Sequence, residues 1–181
     1  ALAMEDGAMV VTYLVVAQSW GAPAGIYLQR LEPGMFVWNT PIGLDTSAYY
    51  RLETAETAWL HMAAEGEILT VTWREPNSGE YRAKTSLNGG WNWGSIEILE
   101  PPGVDMEQPR SLYWNEGRIL TWQDEDTSGC PLIQLSESGI WQTGLIGLSE
   151  CPQTDINWSE DSQLFWLWGQ GSRVIWLAAW D

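Results

Sequence analysis

Positively charged residues are scarce in this sequence. Eight lysines and arginines stand against 24 aspartates and glutamates, which gives a formal net charge of −16. A protein that binds a phosphate backbone or an anionic lipid surface needs a basic surface. The charge balance therefore argues against nucleic acid and against anionic membranes as partners. Acidity itself serves solubility and identifies no partner.

Histidine and cysteine are also rare, at one and two residues. They are too few for a zinc site made of protein side chains alone, and the calcium loop of spaced aspartates around a glycine does not occur. We therefore expect no metal and no cofactor. For the single histidine, His61, a structural place on a central strand is favoured over a general base, because the sequence pairs no nucleophile with it.

No apolar run is long enough to span a bilayer as a helix, which takes about 20 residues. The longest run, Met9 to Ala17, is far shorter and includes Thr12 and Tyr13. We therefore expect a protein that does not span a membrane. No basic region opens the chain, which leaves two interpretations: a signal peptide has been removed, or the chain is a fragment of a longer one.

Tryptophan, by contrast, is abundant at 14 residues, and apolar residues make up 45% of the chain. A disordered chain would be short of aromatic residues, so this composition predicts a folded protein. The 18 glycines are scattered evenly, as in proteins built from many short strands joined by tight turns.

A repeat of about 50 residues runs through the sequence. The segment Glu65 to Thr70 returns as Glu116 to Thr121, 51 positions later, and the matches that follow are 50 positions apart. Those matches pair Ser78 with Ser128, Gly79 with Gly129, Ser86 with Ser136, Gly94 with Gly144, Glu100 with Glu150 and Pro102 with Pro152. So many matches in one register indicate a structural repeat.

Each repeat has the pattern of four short antiparallel strands, which is typical of a β-propeller blade. The clearest copy predicts strands at 59–63, 68–73, 80–85 and 95–99, and the first copy at 9–16, 25–30 and 35–42. We predict an all-β chain: a partial β-propeller over residues 1–181, with about three and a half four-stranded blades. The blades lie at about 1–50, 51–102, 103–152 and 153–181, the last incomplete. A sandwich of four-stranded repeats is the rival fold.

The turn at residues 86–93, named the box turn, carries a recognisable motif. Ser86, Asn88, Gly90 and Trp93 have the spacing Ser-x-Asn-x-Gly-x-x-Trp. This resembles the Asp-box, or BNR repeat, of sialidase-like β-propellers, with Asn in place of Asp. A short polar side chain bonds the amides of such a turn, glycine takes the positive φ, and tryptophan covers the hairpin. In that family the boxes are structural and lie opposite the active site.

The resemblance implies a propeller fold, but it does not imply catalytic activity. A sialidase of this fold would need three arginines, a tyrosine nucleophile with its glutamate, and a further acidic residue, and the usual Arg-Ile-Pro lead-in is missing. We therefore expect a non-catalytic, secreted or cell-surface module that binds carbohydrate or protein. Two alternatives stay open: part of a sialidase-like or glycoside-hydrolase-like enzyme with catalytic residues outside this chain, and a structural subunit closed by a partner chain through open blade edges.

Cys130 and Cys151 are predicted to form a disulfide. They flank the last two strands of the third repeat, a hairpin that turns near Gly139 and in which paired numbers should sum to about 280. Cys130 would then lie opposite about position 150. Two free buried thiols are the alternative. A disulfide would indicate an oxidising compartment, so we expect an extracellular, cell-surface or periplasmic protein.

A ligand surface is predicted on the face opposite the box turns. Aromatic side chains beside carboxylates are typical of sugar-binding clefts, and loops at that face carry both. Paired carboxylates there could also hydrolyse a glycosidic bond, but solvated loop charge is the favoured interpretation. The candidate ligand-binding residues are Trp20, Arg74, Arg110, Asp124, Asp126 and Trp168.

Overall fold

In a computed structural model of the chain, the structure describes residues 1–16, 23–46, 59–99, 107–114, 117–123, 131–137, 140–144, 153–159, 164–170 and 176–179. All regular structure among these residues is β-strand, and none is helix. The strands form antiparallel sheets whose hydrogen-bonded neighbours follow chain order. The predicted all-β class with four-stranded antiparallel sheets is confirmed. The chain divides into two compact units, Ala1–Glu100 and Pro101–Asp181.

Sheet 1 is the first sheet of unit 1. Its strands are β1 (Leu2–Ala3), β2 (Met9–Val15), β3 (Gly25–Leu31) and β4 (Ile42–Asp45). A tight turn joins β1 to β2 because Gly7 takes a φ of 83° and the Asp6 side chain accepts a hydrogen bond from the Ala8 amide at 2.9 Å. Across β2 and β3, the paired rings of Tyr13 and Tyr27 stack with their centroids 6.0 Å apart.

The predicted strand at 35–42 is wrong. Residues 32–41 form a loop, and the fourth strand begins only at Ile42. The loop is held in place because the Asn39 amide donates to the carbonyl of Arg30, and the Gln29 side chain donates to the carbonyl of Asn39, both at 2.9 Å. The run of apolar residues that indicated a strand is therefore exposed in a loop.

Sheet 2 has the same plan. Its strands are β5 (Leu60–Glu65), β6 (Ile68–Arg74), β7 (Tyr81–Ser86) and β8 (Glu97–Ile98). The first three agree with the predicted strands within a residue or two, and β8 is shorter than the predicted 95–99. Gly66 has a φ of 54° in the turn from β5 to β6, a conformation that glycine adopts without a steric cost.

Unit 2 contains sheets 3 and 4. Sheet 3 consists of β9 (Glu107–Trp114), β10 (Gly117–Gln123), β11 (Pro131–Glu137) and β12 (Ile140–Gly144). Sheet 4 has three described strands, β13 (Gln153–Ser159), β14 (Leu164–Gln170) and β15 (Trp176–Ala179). Between β11 and β12, Ile133 pairs with Gly144, whereas the predicted register would have paired it with about position 147. Cys130 and Cys151 lie outside the described residues, so the disulfide stays a prediction.

The two sheets of unit 1 share one hydrophobic core. Sheet 1 and the turns beside it contribute the first group of buried side chains: Met4, Ala8, Val10, Ala24, Ile26, Leu28 and Leu44. Sheet 2 contributes Leu69, Val71 and Trp73, which are alternate residues of β6 and so point to one face of the sheet. One face of sheet 2 therefore packs on sheet 1. Trp73 is fully buried there.

The other face of β6 is shielded from solvent as well. Thr70 and Thr72, which point away from the shared core, are 1% and 0% exposed. Their neighbours across the sheet are Ala63 and Thr85 for Thr70, and His61 and Ala83 for Thr72. A strand in a two-layer sandwich has one face in solvent. β6 has none.

Candidate binding surface

Arg30 joins the two sheets at one end of unit 1. Its guanidinium donates to the carbonyl oxygen of Gly89 and to Oε1 of Glu32, each at 2.7 Å, and it also pairs with Asp6. The Arg30 side chain is only 5% exposed and lies 5.5 Å from the ring centroid of Trp91. We call this end the box end. Its turns are residues 4–8, 32–41, 66–67 and 87–96.

The charges at this junction are held in their ionised forms. Burial opposes the charge of Arg30, but the hydrogen bonds to Glu32 and Asp6 outweigh it, so the pKa of Arg30 lies above its usual value. The hydrogen bond from the Ala8 amide, and then that from Arg30, hold the pKa of Asp6 below its usual value. The ion pairs of Arg30 with Asp6 and Glu32 thus hold the turns of sheet 1, and the hydrogen bond from Arg30 to the Gly89 carbonyl joins them to the box turn of sheet 2.

Asp45 joins the two sheets at their opposite end. Its side chain is fully buried and accepts hydrogen bonds from Nε1 of Trp73 at 3.1 Å and from Arg82 at 3.5 Å. Arg82 also pairs with Glu80 at 2.9 Å. Asp45 belongs to sheet 1, and its partners belong to sheet 2. The two sheets are therefore connected by polar contacts at both ends of their shared core.

The box turn is stabilised by its own side chains. Oγ of Ser86 accepts a hydrogen bond from the Gly90 amide at 2.9 Å and donates to Oδ1 of Asn88 at 3.0 Å. The same Oδ1 accepts from the Asn92 amide at 2.9 Å. Nε1 of Trp93 donates to the Gly90 carbonyl at 2.9 Å, and Trp93 packs against the shared core. All four residues of the motif thus act within the turn.

Large apolar side chains are exposed at the box end. Phe36 is 98% exposed, and Leu87 and Trp91 are 63% and 54% exposed. We name this set the box-end patch, and its members are Met35, Phe36, Val37, Trp38, Leu87 and Trp91. Both loops that carry them are anchored on Arg30, through Asn39 on one side and Gly89 on the other. The patch is therefore displayed by loops in a defined position.

The charged residues in the box-end turns are all acidic. Glu5 and Glu67 are exposed, the Asp6 side chain is 52% exposed, and Glu32 is partly exposed. None of the residues in the four box-end turns is lysine or arginine. The described box end is thus both apolar and negatively charged.

The opposite end of sheet 2 is where the sequence placed a ligand surface. Arg74 ends β6, is exposed, and lies 6.0 Å from the ring centroid of Tyr81. Glu75 next to it is buried and accepts hydrogen bonds from both Asn77 and Ser78. Burial by itself would raise the pKa of Glu75, but these hydrogen bonds outweigh it and the pKa lies below its usual value. The carboxylate of Glu75 therefore stabilises the turn that follows β6.

The structure describes the positions of only some of the remaining predicted ligand residues. Arg110 lies on β9 opposite Thr121, and Trp168 lies on β14 opposite Asp155. Trp20, Asp124 and Asp126 lie outside the described residues. His61 lies on β5, where its ring stacks on that of Trp59 with the centroids 6.3 Å apart. Among the described residues of unit 1, the predicted ligand surface is thus represented by Arg74.

The box-end patch is not predicted by the sequence because its loop resembles a strand. Residues 35–38 alternate poorly and are apolar, and the usual interpretation of such a run is burial. The signal that could have found the loop is Pro33-Gly34 before the run and Pro41 after it, because proline is confined to the edges of sheets and to turns.

The described part of the chain contains neither a cluster of metal-binding side chains nor a helix that could span a membrane. No group of three His, Cys, Asp or Glu side chains there could hold a metal ion. No helix there is long and apolar enough to cross a membrane. Comparison with known proteins gives no match: no protein-family model fits this sequence, and none of the curated proteins is significantly similar to it.

Proposed function

We propose that this protein is a non-catalytic binding module built from β-propeller blades of the sialidase-like, Asp-box type. Its setting is extracellular, at the cell surface or periplasmic, and its ligand is a protein or a carbohydrate. The observation that carries the binding role is the box-end patch. A group of large exposed apolar side chains, as opposed to scattered single ones, marks interaction sites in soluble proteins.

The burial of both faces of β6 supports propeller packing. A blade inside a propeller is covered on each side by a neighbouring blade, whereas the sheets of a sandwich keep one face for solvent. The repeat of about 50 residues and the box turn support the same fold. A disulfide between Cys130 and Cys151, which stays a prediction, would support the oxidising compartment.

The outer face of sheet 1 supports association with a further sheet. The residues that point away from sheet 2 are mostly apolar or aromatic, and none of them is fully buried: Met9, Val11, Tyr13, Val15, Tyr27, Gln29 and Leu31. In a propeller such a face packs against the preceding blade. Either another blade or a partner chain would cover it.

The arrangement of the carboxylates supports a non-catalytic role. Asp6 and Glu32 pair with Arg30, and Asp45 and Glu80 pair with Arg82. Each of these pairs joins or supports the sheets. A glycoside hydrolase keeps two carboxyl groups facing one cleft, one of them free to donate a proton.

The test combines turnover with binding. The chain is incubated with fluorogenic sialosides and glycosides, and it is separately applied to a glycan array and to a random peptide library. We expect no turnover above the buffer blank, and ligands from one of the two libraries. Turnover proportional to protein concentration would contradict the proposal, and so would the absence of ligands in both libraries.

A further inference from the structure

We propose that the box-end patch is the docking surface for a protein segment that carries both apolar and positively charged side chains. This inference rests on the proposed binding function and goes beyond it, because it selects protein over carbohydrate and names the chemistry of the partner. The face is also different from the one that the sequence indicated, which carries Arg74.

The composition of the patch favours protein over sugar. Sugars stack on flat aromatic rings, and the rings here are Phe36, Trp38 and Trp91. Between and beside them lie Met35, Val37 and Leu87, which offer no flat face to a sugar. A mixture of aromatic and flexible aliphatic side chains is typical of surfaces that bury the apolar side chains of another protein.

The charge around the patch determines which sign of charge the partner should carry. Glu5, Asp6, Glu32 and Glu67 lie at the same end of the sheets as the apolar residues, and the four box-end turns contain no lysine or arginine. The guanidinium of Arg30 lies 5.5 Å from the ring centroid of Trp91 in the patch, and it is already paired with Asp6 and Glu32. A partner with lysines or arginines at the rim of its apolar face would therefore be attracted, and an acidic one repelled.

The same charge argues against two other occupants. A second copy of this chain would bring the same acidic rim against itself on top of a net charge of −16, and like charges facing each other oppose association. An anionic membrane would be repelled for the same reason. A cationic segment of another protein is the occupant whose charge complements this surface.

The conformation of the loop that carries Phe36 is fixed by backbone hydrogen bonds in the absence of a ligand. Its start is held by the hydrogen bond from the Met35 amide to the Glu32 carbonyl at 3.0 Å, and its end by that from the Asn39 amide to Arg30 at 2.9 Å. A loop that is already fixed loses little conformational entropy when it binds. Phe36, at 98% exposure, contributes nothing to the core and can be replaced without loss of folding.

The experiment selects ligands from a random peptide library on the immobilised whole chain and measures the binding of individual selected peptides by fluorescence anisotropy. We expect selected peptides with a positive net charge and at least one aromatic or large aliphatic residue. Phe36→Ser should weaken their binding by about tenfold or more. Glu67→Lys should weaken it by about threefold, mainly through the association rate, and salt should weaken it further.

Matched controls lie outside the box end. Ile98→Ser removes an apolar side chain that is 50% exposed on β8, and Glu97→Lys reverses an exposed charge beside it. Each control should leave the affinity within about twofold. Circular dichroism and thermal unfolding of all four variants establish that they fold.

Several results would overturn the inference. Selected peptides that are neutral or acidic, or that bind Phe36→Ser as well as the parent chain, would show that the patch does not recognise a cationic segment. Binding to phosphatidylcholine vesicles that depends on Phe36 would assign the patch to lipid. Glycans bound on the array, with no peptide selected, would leave the proposed function standing and remove this inference. If neither library gave a ligand, both would fall.

Discussion

Arg30 shows how one side chain organises the surface of this protein. Its partners Asp6, Glu32 and Gly89 come from three separate turns, and the loop with Phe36 leaves β3 directly after it. A sequence pattern can mark such an arginine as a repeat position, but not its role. The role depends on contacts between residues 59 positions apart, which appear only when the two sheets pack.

Replacing Arg30 by alanine should destabilise unit 1. The substitution leaves the buried carbonyl of Gly89 without its donor, which costs about 1–3 kcal/mol, and it detaches the box turn from sheet 1. Urea unfolding followed by tryptophan fluorescence measures the change. Arg74→Ala is the matched control: Arg74 is exposed, so the expected cost is below about 0.5 kcal/mol. Equal effects of the two substitutions would contradict the role of Arg30.

Glu75→Gln should lower stability at neutral pH but much less in acid. The carboxylate accepts three hydrogen bonds at Oε2 and one at Oε1, and glutamine can offer only one accepting oxygen. We expect a loss of about 1–2 kcal/mol at pH 7.

The pH dependence follows from the lowered pKa of Glu75. A lowered pKa means that the carboxylate stabilises the fold fully above its unfolded value of about 4.5 and loses this effect as the pH falls through the folded pKa. Urea unfolding between pH 7 and pH 3 should therefore show the parent chain and Glu75→Gln converging below about pH 4.5. A difference that stays constant over this range would contradict the assignment.

The box turn is the element in which sequence and structure agree in most detail. Its motif residues are identified by their resemblance to the Asp-box. The structure agrees because a turn of this kind depends on local hydrogen bonds, which a short stretch of sequence specifies directly. The loop at 32–41 shows the opposite case. Its apolar residues indicated a strand, and only the hydrogen bonds around Asn39 and the prolines that bound it explain why no strand forms.

Gly90→Ala tests the geometry of the box turn. Gly90 has a φ of 90°, and a Cβ placed there would lie 3.0 Å from Cδ1 of Leu69 in the core. We expect a loss of about 2 kcal/mol or more, since both the positive φ and the close contact oppose a side chain. Gly94→Ala is the matched control. Gly94 has no positive φ and a Cβ there would have ordinary contacts, so a similar loss in that variant would contradict the account.

At the scale of the whole molecule, the repeat in the sequence predicted consecutive four-stranded antiparallel sheets. Strand alternation and turn residues are local signals, and they are sufficient to predict the strands and their antiparallel order. How the sheets pack depends on which faces are covered, and a strand such as β6 carries apolar residues on one face and threonines on the other. Threonine is common on solvated faces, so the sequence alone did not indicate that Thr70 and Thr72 are buried.

The most direct test of the propeller proposal is the solvent accessibility of position 72. A Thr72→Cys variant is treated with N-ethylmaleimide under native conditions, and labelling at that position is followed by peptide mass spectrometry, with Leu87→Cys as the exposed reference. Since Thr72 is 0% exposed, we predict labelling slower than the reference by orders of magnitude, at the rate of unfolding. Equally fast labelling would show that the second face of β6 is in solvent. That result would favour the two-layer sandwich and contradict the propeller.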